Sequence, residues 1–381
     1  MRYGDFARQM PSGTATLVSR RGLLERIHID PWLLLILLSI TTFGLIVLYS
    51  ASGRSLSTLY RQGTFFAIAY GVMFLVAQID VERIKRGAPI AYVGGLFLLA
   101  LVPFVGVIAK GAQRWLSIGG FQFQPSEIMK LVVPMAVAWY LSARVLPPSL
   151  KHISIALALI AVPALFVAEQ PDLGTSILIS ASGMFVLLLA GLGWRYILLA
   201  VGSVAAAAWP MWHFVLHDYQ RRRILTLLDP EADKLGAGWN IIQSMTAIGS
   251  GGLTGKGWLQ GTQSHLDFLP EGHTDFIIAV LSEEWGLRGV LVLLALYCAF
   301  IARGIWVAVS AQHSFGRLLA GSIVLTFFVY VFVNMGMVAG LLPVVGVPLP
   351  LISQGGTALV TLFAGFGLLM AISTERRILR Q

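Results

Sequence analysis

The chain returns again and again to runs of sixteen to twenty-two residues that carry almost no charge, and this recurrence decides most of what it can fold into. Hydrocarbon offers a backbone no water to bond. A crossing segment must therefore satisfy its own amides and carbonyls, as a helix of roughly 20 residues does. Such runs span 32–50, 64–79, 88–109, 127–143, 153–168, 175–192, 196–214, 287–307, 318–339 and 357–373. The expectation is an all-α integral membrane protein with about ten transmembrane helices. Residues 1–30 and 375–381 form short tails around one polytopic domain at 31–374. With 57% hydrophobic and 12% charged residues, a soluble globular fold is excluded. The net charge of +9 forms no basic face that would suit nucleic acid.

Lys and Arg set the orientation, because short loops rich in them stay on the cytoplasmic side. With the amino terminus inside, the inner segments hold sixteen, among them Arg20, Arg21, Arg83, Lys85, Arg86, Arg144, Arg195, Arg317 and Arg376. The short outer loops hold only Arg54, Arg61, Lys110 and Arg114. Both termini are then cytoplasmic, and the long stretch 215–286 between the seventh and eighth spans is extracytoplasmic. The basic leader lacks a short apolar run followed by a small-residue cleavage site, so the first span is read as retained. The single cysteine, Cys298, allows no internal disulfide and no thiolate metal cluster.

The outer polar residues gather in four places: 110–127, 169–175, 219–284 and 342–356. Charged side chains near hydrocarbon are costly, so such a cluster marks a functional site by default. In the first, Arg114 and Trp115 lead into Gln124-Pro125-Ser126-Glu127, where Ser126 and Glu127 read as a helix start and Glu127 can pair with Lys130 three residues on. Trp115 on composition alone is an interfacial anchor. Asp172 stands at the mouth of the sixth span as a cap. Asp275 follows His273 and Thr274 just before an apolar helical segment, as either a helix cap or a carboxylate suited to general-base work. The run from Leu342 to Gly356 packs proline and glycine into an apolar stretch that cannot continue a helix, so its backbone must be buried in protein or line a wet cavity.

Two motifs fail. Gly249 to Gly257 looks like a phosphate loop, but Ser250 and Gly257 stand at positions where that loop needs Gly and Ser/Thr, so an ATPase is rejected. His265, Asp267, His273 and Asp275 form only an unspecific metal set, and no protein-held metal is expected.

At these residues the chain resembles the SEDS family of cell-wall polymerases. The resemblance rests on Lys110-Gly-Ala-Gln-Arg-Trp-Leu116, Gln124-Pro-Ser-Glu-Ile128, Gln170-Pro-Asp-Leu-Gly-Thr-Ser176, Leu228-Asp-Pro-Glu231, Gly249 to Trp258, His273-Thr-Asp-Phe276 and Leu342 to Pro350. It implies a ten-span peptidoglycan glycosyltransferase that polymerises lipid II at the outer face of a bacterial inner membrane, in the elongation and rod-shape branch. It also implies a class B penicillin-binding protein transpeptidase as partner, among other elongation-complex membrane proteins. Asp275 becomes the expected general base. The expected substrate-binding residues are Arg114, Trp115, Gln124, Ser126, Glu127, Lys130, Asp172, Lys256, His273, Thr274 and Ser353. Arg114, Lys130 and Lys256 would offset pyrophosphate charge, with no tightly held cofactor and Mg2+ or Mn2+ carried by the pyrophosphate. Gly272 and Gln354 depart from the residues many relatives have there.

The alternatives are a lipid II translocase, which would need ionisable groups near the midplane, the septal role of the division branch, and a scaffold without chemistry. Partner binding is expected on the eighth and ninth spans, where Gly289, Ala295, Gly321 and Ala339 are small.

Overall fold

The computed structural model describes residues 27–109, 112–119, 121–216, 218–233, 237–265 and 271–375. Most of both tails, Lys110 and Asp267 lie outside the described residues. Each of the ten expected spans falls on a helix: α1 (Pro31–Ala51), α2 (Leu56–Ala77), α3 (Val81–Val105), α4 (Pro125–Ser142), α5 (Leu150–Glu169), α6 (Leu173–Leu189) and α7 (Trp194–Pro210) come before the long connection. That connection contains α8 (Asp218–Leu228), α9 (Ala237–Gly251) and the single turn α10 (Thr262–His265), and is followed by α11 (Ile277–Ser310), α12 (Ser314–Val338) and α13 (Thr357–Ser373). Seven helices among the described residues are long and apolar enough to cross a membrane: α1, α2, α3, α5, α7 with its continuation to Phe214, α11 and α12. The other three run 18, 17 and 17 residues.

Helix starts follow from local chemistry. Asp30 caps α1, accepting the N–H groups of Trp32 and Leu33 at 3.1 Å, with Pro31 supplying a first-turn residue that lacks a donor. The other carboxylate oxygen of Asp30 receives Arg303 of α11, tying the two helices together at the end that carries the basic loops. Below the opposite end lies an aromatic core in which Phe300, Phe327, Phe363 and Phe366 meet edge to face or tilted, with centroids 4.4–5.9 Å apart. Helix α7 stands apart, and none of it is buried.

Two expectations need correction. The third span was expected to continue through Ala109, but α3 ends at Val105, where Gly106 turns extended (ψ 148°), and the chain enters a three-stranded antiparallel sheet. Its strands are β1 (Val107–Ala109), β2 (Ala112–Ile118) and β3 (Phe121–Phe123), in that order. The Phe121-Gln122-Phe123-Gln124 alternation has the period of a strand. Secondly, α4 begins at Pro125, capped by the backbone of Gln124, with Ser126 inside the first turn, buried and, among the described residues, without a hydrogen-bond partner for its hydroxyl. The helical segment expected after Asp275 begins at Ile277, and the break at Gly286 (φ 63°, ψ −160°) separates it from the expected span that begins at Leu287.

The break at Gly286 is made by the segment that mimics a phosphate loop. The N–H groups of Lys256 and Gly257 donate to the carbonyls of Glu283 and Glu284, while those of Leu287 and Arg288 donate to Gly252 and Leu253. The amides that a phosphate loop would offer to an anion are thus spent on the protein. Two backbones this close leave no room for side chains: a Cβ on Gly255 would lie 2.1 Å from the Glu284 carbonyl oxygen, and one on Gly286 2.4 Å from the Gly255 nitrogen.

The proline-rich stretch 341–356 is irregular, as its composition requires, and Val347, Leu349, Leu351 and Ile352 within it are buried. Buried irregular backbone must find partners, and here side chains supply them. Tyr297 donates to the Pro350 carbonyl at 2.6 Å, Asn334 to that of Val347 at 2.7 Å, and Gln62 bridges the Ser353 carbonyl and the Gly355 amide. Ser353 accepts from the Leu349 N–H and donates to the carbonyl of Thr274, which fastens this stretch to the residue beside Asp275.

Candidate functional site

Four chain segments converge at the end of the bundle opposite the basic loops. The β-hairpin brings Arg114 and Trp115, and the turn before α6 brings Asp172. The start of α4 brings Gln124, Glu127 and Lys130, and the turn before α11 brings Thr274 and Asp275. All eight line one cavity of about 650 Å³, together with Gln122, Arg223, Glu271, Tyr330, Gly346 and Gln354.

The hairpin is docked by its cation. Arg114 donates to the carbonyls of Gln170, at 3.0 Å, and Pro171, and lies 3.8 Å from Asp172. Asp172 caps α6 by accepting the Thr175 N–H at 3.2 Å and also receives Gln124 at 2.9 Å, so it is a cap and a cavity wall at once. On α4, Lys130 meets Glu127 at 2.6 Å and the Tyr330 hydroxyl of α12. Both charged side chains are at most one-tenth exposed, so each has the other, rather than water, as its counter-charge.

Asp275 does not cap α11. The cap position belongs to Phe276, which is buried and makes no side-chain cap bond, and the preceding turn is closed by Thr274 and Phe276 amides on the Glu271 carbonyl. The carboxylate faces the irregular stretch, where a Cβ on Gly346 would sit 3.5 Å from its Oδ2. Gly346 has φ of +79° and presents bare backbone to that oxygen. A carboxylate open to a cavity that also holds Lys130, Arg114 and Arg223 can take a proton from a bound hydroxyl while the cations face an anion.

The remaining expected site residues are elsewhere. Lys256 points to Glu283, whose Oε1 accepts from Lys256 at 2.7 Å and from the amides of Thr262 and Gln263 at 2.8 and 2.9 Å; it does not line the cavity. His273 contributes its carbonyl to the Gln354 N–H, and Ser353 and Ser126 are buried within the frame. Trp115, read from composition as an interfacial anchor, faces the cavity. Sequence reasoning missed Tyr330, which sits inside an apolar span without any local signal, and Arg223, which is one of three consecutive arginines. Among the described residues no group of three His, Cys, Asp or Glu side chains is placed to hold a metal ion. Asp267 and the side chain of His265, from the unspecific metal set, lie outside the described residues.

A family model described as cell cycle protein, covering FtsW, RodA and SpoVE, matches residues 31–378. The chain belongs to the FtsW/RodA/SpoVE family. Among its relatives is the peptidoglycan glycosyltransferase MrdB of Escherichia coli K12, 56% identical over 355 residues that cover 93% of this chain and 96% of MrdB. A probable peptidoglycan glycosyltransferase FtsW of Geobacter sulfurreducens is 38% identical over 91% of this chain and 95% of its own length. Of solved structures, a chain from a peptidoglycan synthase complex that couples polymerization and crosslinking superposes with a TM-score of 0.80 at 31% identity, covering 92% of this chain and 98% of that one. The rod shape determining protein RodA of Thermus thermophilus, solved as an aspartate-to-alanine variant, gives 0.70 at 28% identity over 91% of this chain and 98% of its own. As a member of the FtsW/RodA/SpoVE family, the chain is a helical, multi-pass membrane protein.

Proposed function

We propose that this protein is the peptidoglycan glycosyltransferase of cell elongation in a bacterial inner membrane, polymerising lipid II and working beside a class B penicillin-binding protein. The observation that carries the reading is the single cavity in which Asp275 faces Lys130, Arg114 and Arg223 at the loop-bearing end of the bundle. It agrees with what the names of the relatives state.

In the proposed reaction a sugar hydroxyl of one lipid-linked glycan attacks the anomeric carbon of another. The new glycosidic C–O bond forms as the bond from that carbon to the phosphate oxygen breaks, and the electron pair leaves with polyprenyl pyrophosphate. Asp275 accepts the hydroxyl proton. Lys130 and Arg114, with Arg223, stabilise the charge that develops on the leaving group, while Glu127, Asp172 and the Pro171 carbonyl keep the cations in place. A divalent cation carried by the pyrophosphate would add to that stabilisation without a cage of protein ligands.

A translocase would place ionisable pairs along a path through the bundle. Here the Glu127–Lys130 and Arg114–Asp172 pairs sit together in the one end cavity, which favours transfer. The small residues expected to hold the partner are in part committed internally: Gly289 packs under Trp285 and Gly321 against Leu189, whereas Ala295 and Ala339 are exposed. The deciding experiment gives purified lipid II to the detergent-solubilised protein with its transpeptidase partner, and separately follows labelled lipid II across vesicles. Polymer without transport supports the proposal; transport without polymer overturns it.

A further inference from the structure

A small cavity of about 40 Å³ shares Glu127, Lys130, Tyr330 and Ala358 with the large one and reaches Phe327 and Phe366 of the aromatic core. Two pairs of residues frame it, Lys130 and Pro134 on α4 and Thr326 and Tyr330 on α12, each pair one helical turn apart. Three polar groups of this frame are incomplete. Thr326 is more than nine-tenths buried, and its hydroxyl has no hydrogen-bond partner among the described residues. Helical threonines commonly spend that group on their own backbone, as Thr64, Thr246 and Thr361 do, each donating to the carbonyl four residues back at 2.8–3.2 Å. Thr326 does not. Pro134 has no N–H, so the Lys130 carbonyl lacks the donor that a regular helix would supply. The Tyr330 hydroxyl accepts from the Lys130 ammonium, and its own proton has no acceptor among the described residues.

Resting on the transferase reading above, we propose that this cavity is a binding site for one ordered water, and that Thr326, through that water, is a positioning residue for Lys130. The water accepts the Tyr330 proton, donates to the Lys130 carbonyl and bonds the Thr326 hydroxyl. Three polar partners are what a buried water requires, and about 40 Å³ is little more than the roughly 30 Å³ that a water occupies in the liquid. A space of that size does not admit a five-carbon prenyl unit. An ordered water is also one of the few groups that can serve a carbonyl freed by proline inside a membrane helix. With its proton taken by the water, the Tyr330 phenol turns a lone pair to Lys130. The same water ties the phenol to the α4 backbone that carries the lysine, so the ammonium is held toward the large cavity where charge develops.

Thr326→Val keeps the outline of the side chain and removes the hydroxyl. Two readouts on the full-length protein test it, thermal unfolding in detergent and polymerisation of purified lipid II with the transpeptidase partner present. If the hydroxyl is bonded to water, its loss should lower the unfolding temperature; if it is an orphan in a dry cavity, its loss should raise it. The expected kinetic result is a kcat reduced by about tenfold with KM within about twofold, because the variant displaces a cation that acts on the leaving group. Thr326→Ser, which keeps the hydroxyl, should restore both kcat and the unfolding temperature. In a Tyr330→Phe background, Thr326→Val should lower kcat by no more than about a further twofold, since both changes break one chain of hydrogen bonds. A raised unfolding temperature with kcat unchanged overturns the water site. A lowered KM with kcat unchanged overturns it as well, by showing that the cavity receives an apolar part of the lipid. A wild type that makes no polymer overturns the transferase reading, and the unfolding temperatures of Thr326→Val and Thr326→Ser still decide the water.

Discussion

Asn334 donates its side-chain amide to the main-chain carbonyl of Asp275 at 2.8 Å and to that of Val347 at 2.7 Å. One fully buried amide on α12 therefore holds the two backbone segments that flank the Asp275 carboxylate, that of the aspartate itself and that of the loop carrying Gly346. Asn334→Leu leaves both carbonyls without that donor. The expected loss of stability is about 1–3 kcal/mol, the cost of stranding buried polar groups. Polymerisation should fall by about 100-fold through misplacement of the carboxylate, with lipid II affinity little changed. Steady-state rates and a lipid II binding titration on the same preparation separate the two effects.

Glu127 and Lys130 are a buried pair, and removing one partner leaves an uncompensated charge. Glu127→Gln alone should destabilise the solubilised protein by about 3–5 kcal/mol. The double variant Glu127→Gln with Lys130→Met removes the orphaned charge and should recover most of the lost thermal stability. It should not recover polymerisation, because the cation facing the cavity is gone. Thermal unfolding in detergent and product gels read the two outcomes independently.

How the polar end was foreseen, and where it was not, follows from the range of each signal. Spans, the cap at Asp172 and the Glu127–Lys130 neighbours are written within a few residues of one another, so periodicity and spacing expose them. The role of Lys256 is not local: its partner Glu283 lies 27 residues away, and from sequence the cation seemed free for phosphate. Tyr330 and Asn334 interrupt an apolar span singly, and only the packing of α12 against α4 and the proline-rich stretch shows which polar groups they meet. The hairpin was hidden for another reason, since strands of three and seven residues are too short for alternation to outweigh the apolar run before them.

Glu283 anchors the outer loop through Lys256, Thr262 and Gln263. Glu283→Gln removes the charge that holds these donors. The amides of Thr262 and Gln263 should lose protection from hydrogen exchange by about tenfold or more, while the amides of α12 stay protected. Equal loss across both regions would show general unfolding instead of a local latch.

The close approach at the α11 break makes a steric prediction. Gly255 has φ of +76° and faces the Glu284 carbonyl, so Gly255→Val demands both a strained backbone and displacement of α11. The membrane yield of folded protein should drop sharply, whereas Gly252→Ala, with open space around its Cβ, should cost only about 1 kcal/mol from its positive φ. Size-exclusion profiles of the two variants provide the comparison.

The most direct test is of Asp275 itself. Purified wild type and Asp275→Asn, each with the transpeptidase partner, are given lipid II at matched concentrations, and both binding and polymer are measured. The expected result is wild-type lipid II affinity in both and polymer from the wild type alone, since asparagine keeps the shape of the site but cannot take the hydroxyl proton. Polymer made by Asp275→Asn at the wild-type rate would contradict the assignment of Asp275 as the general base.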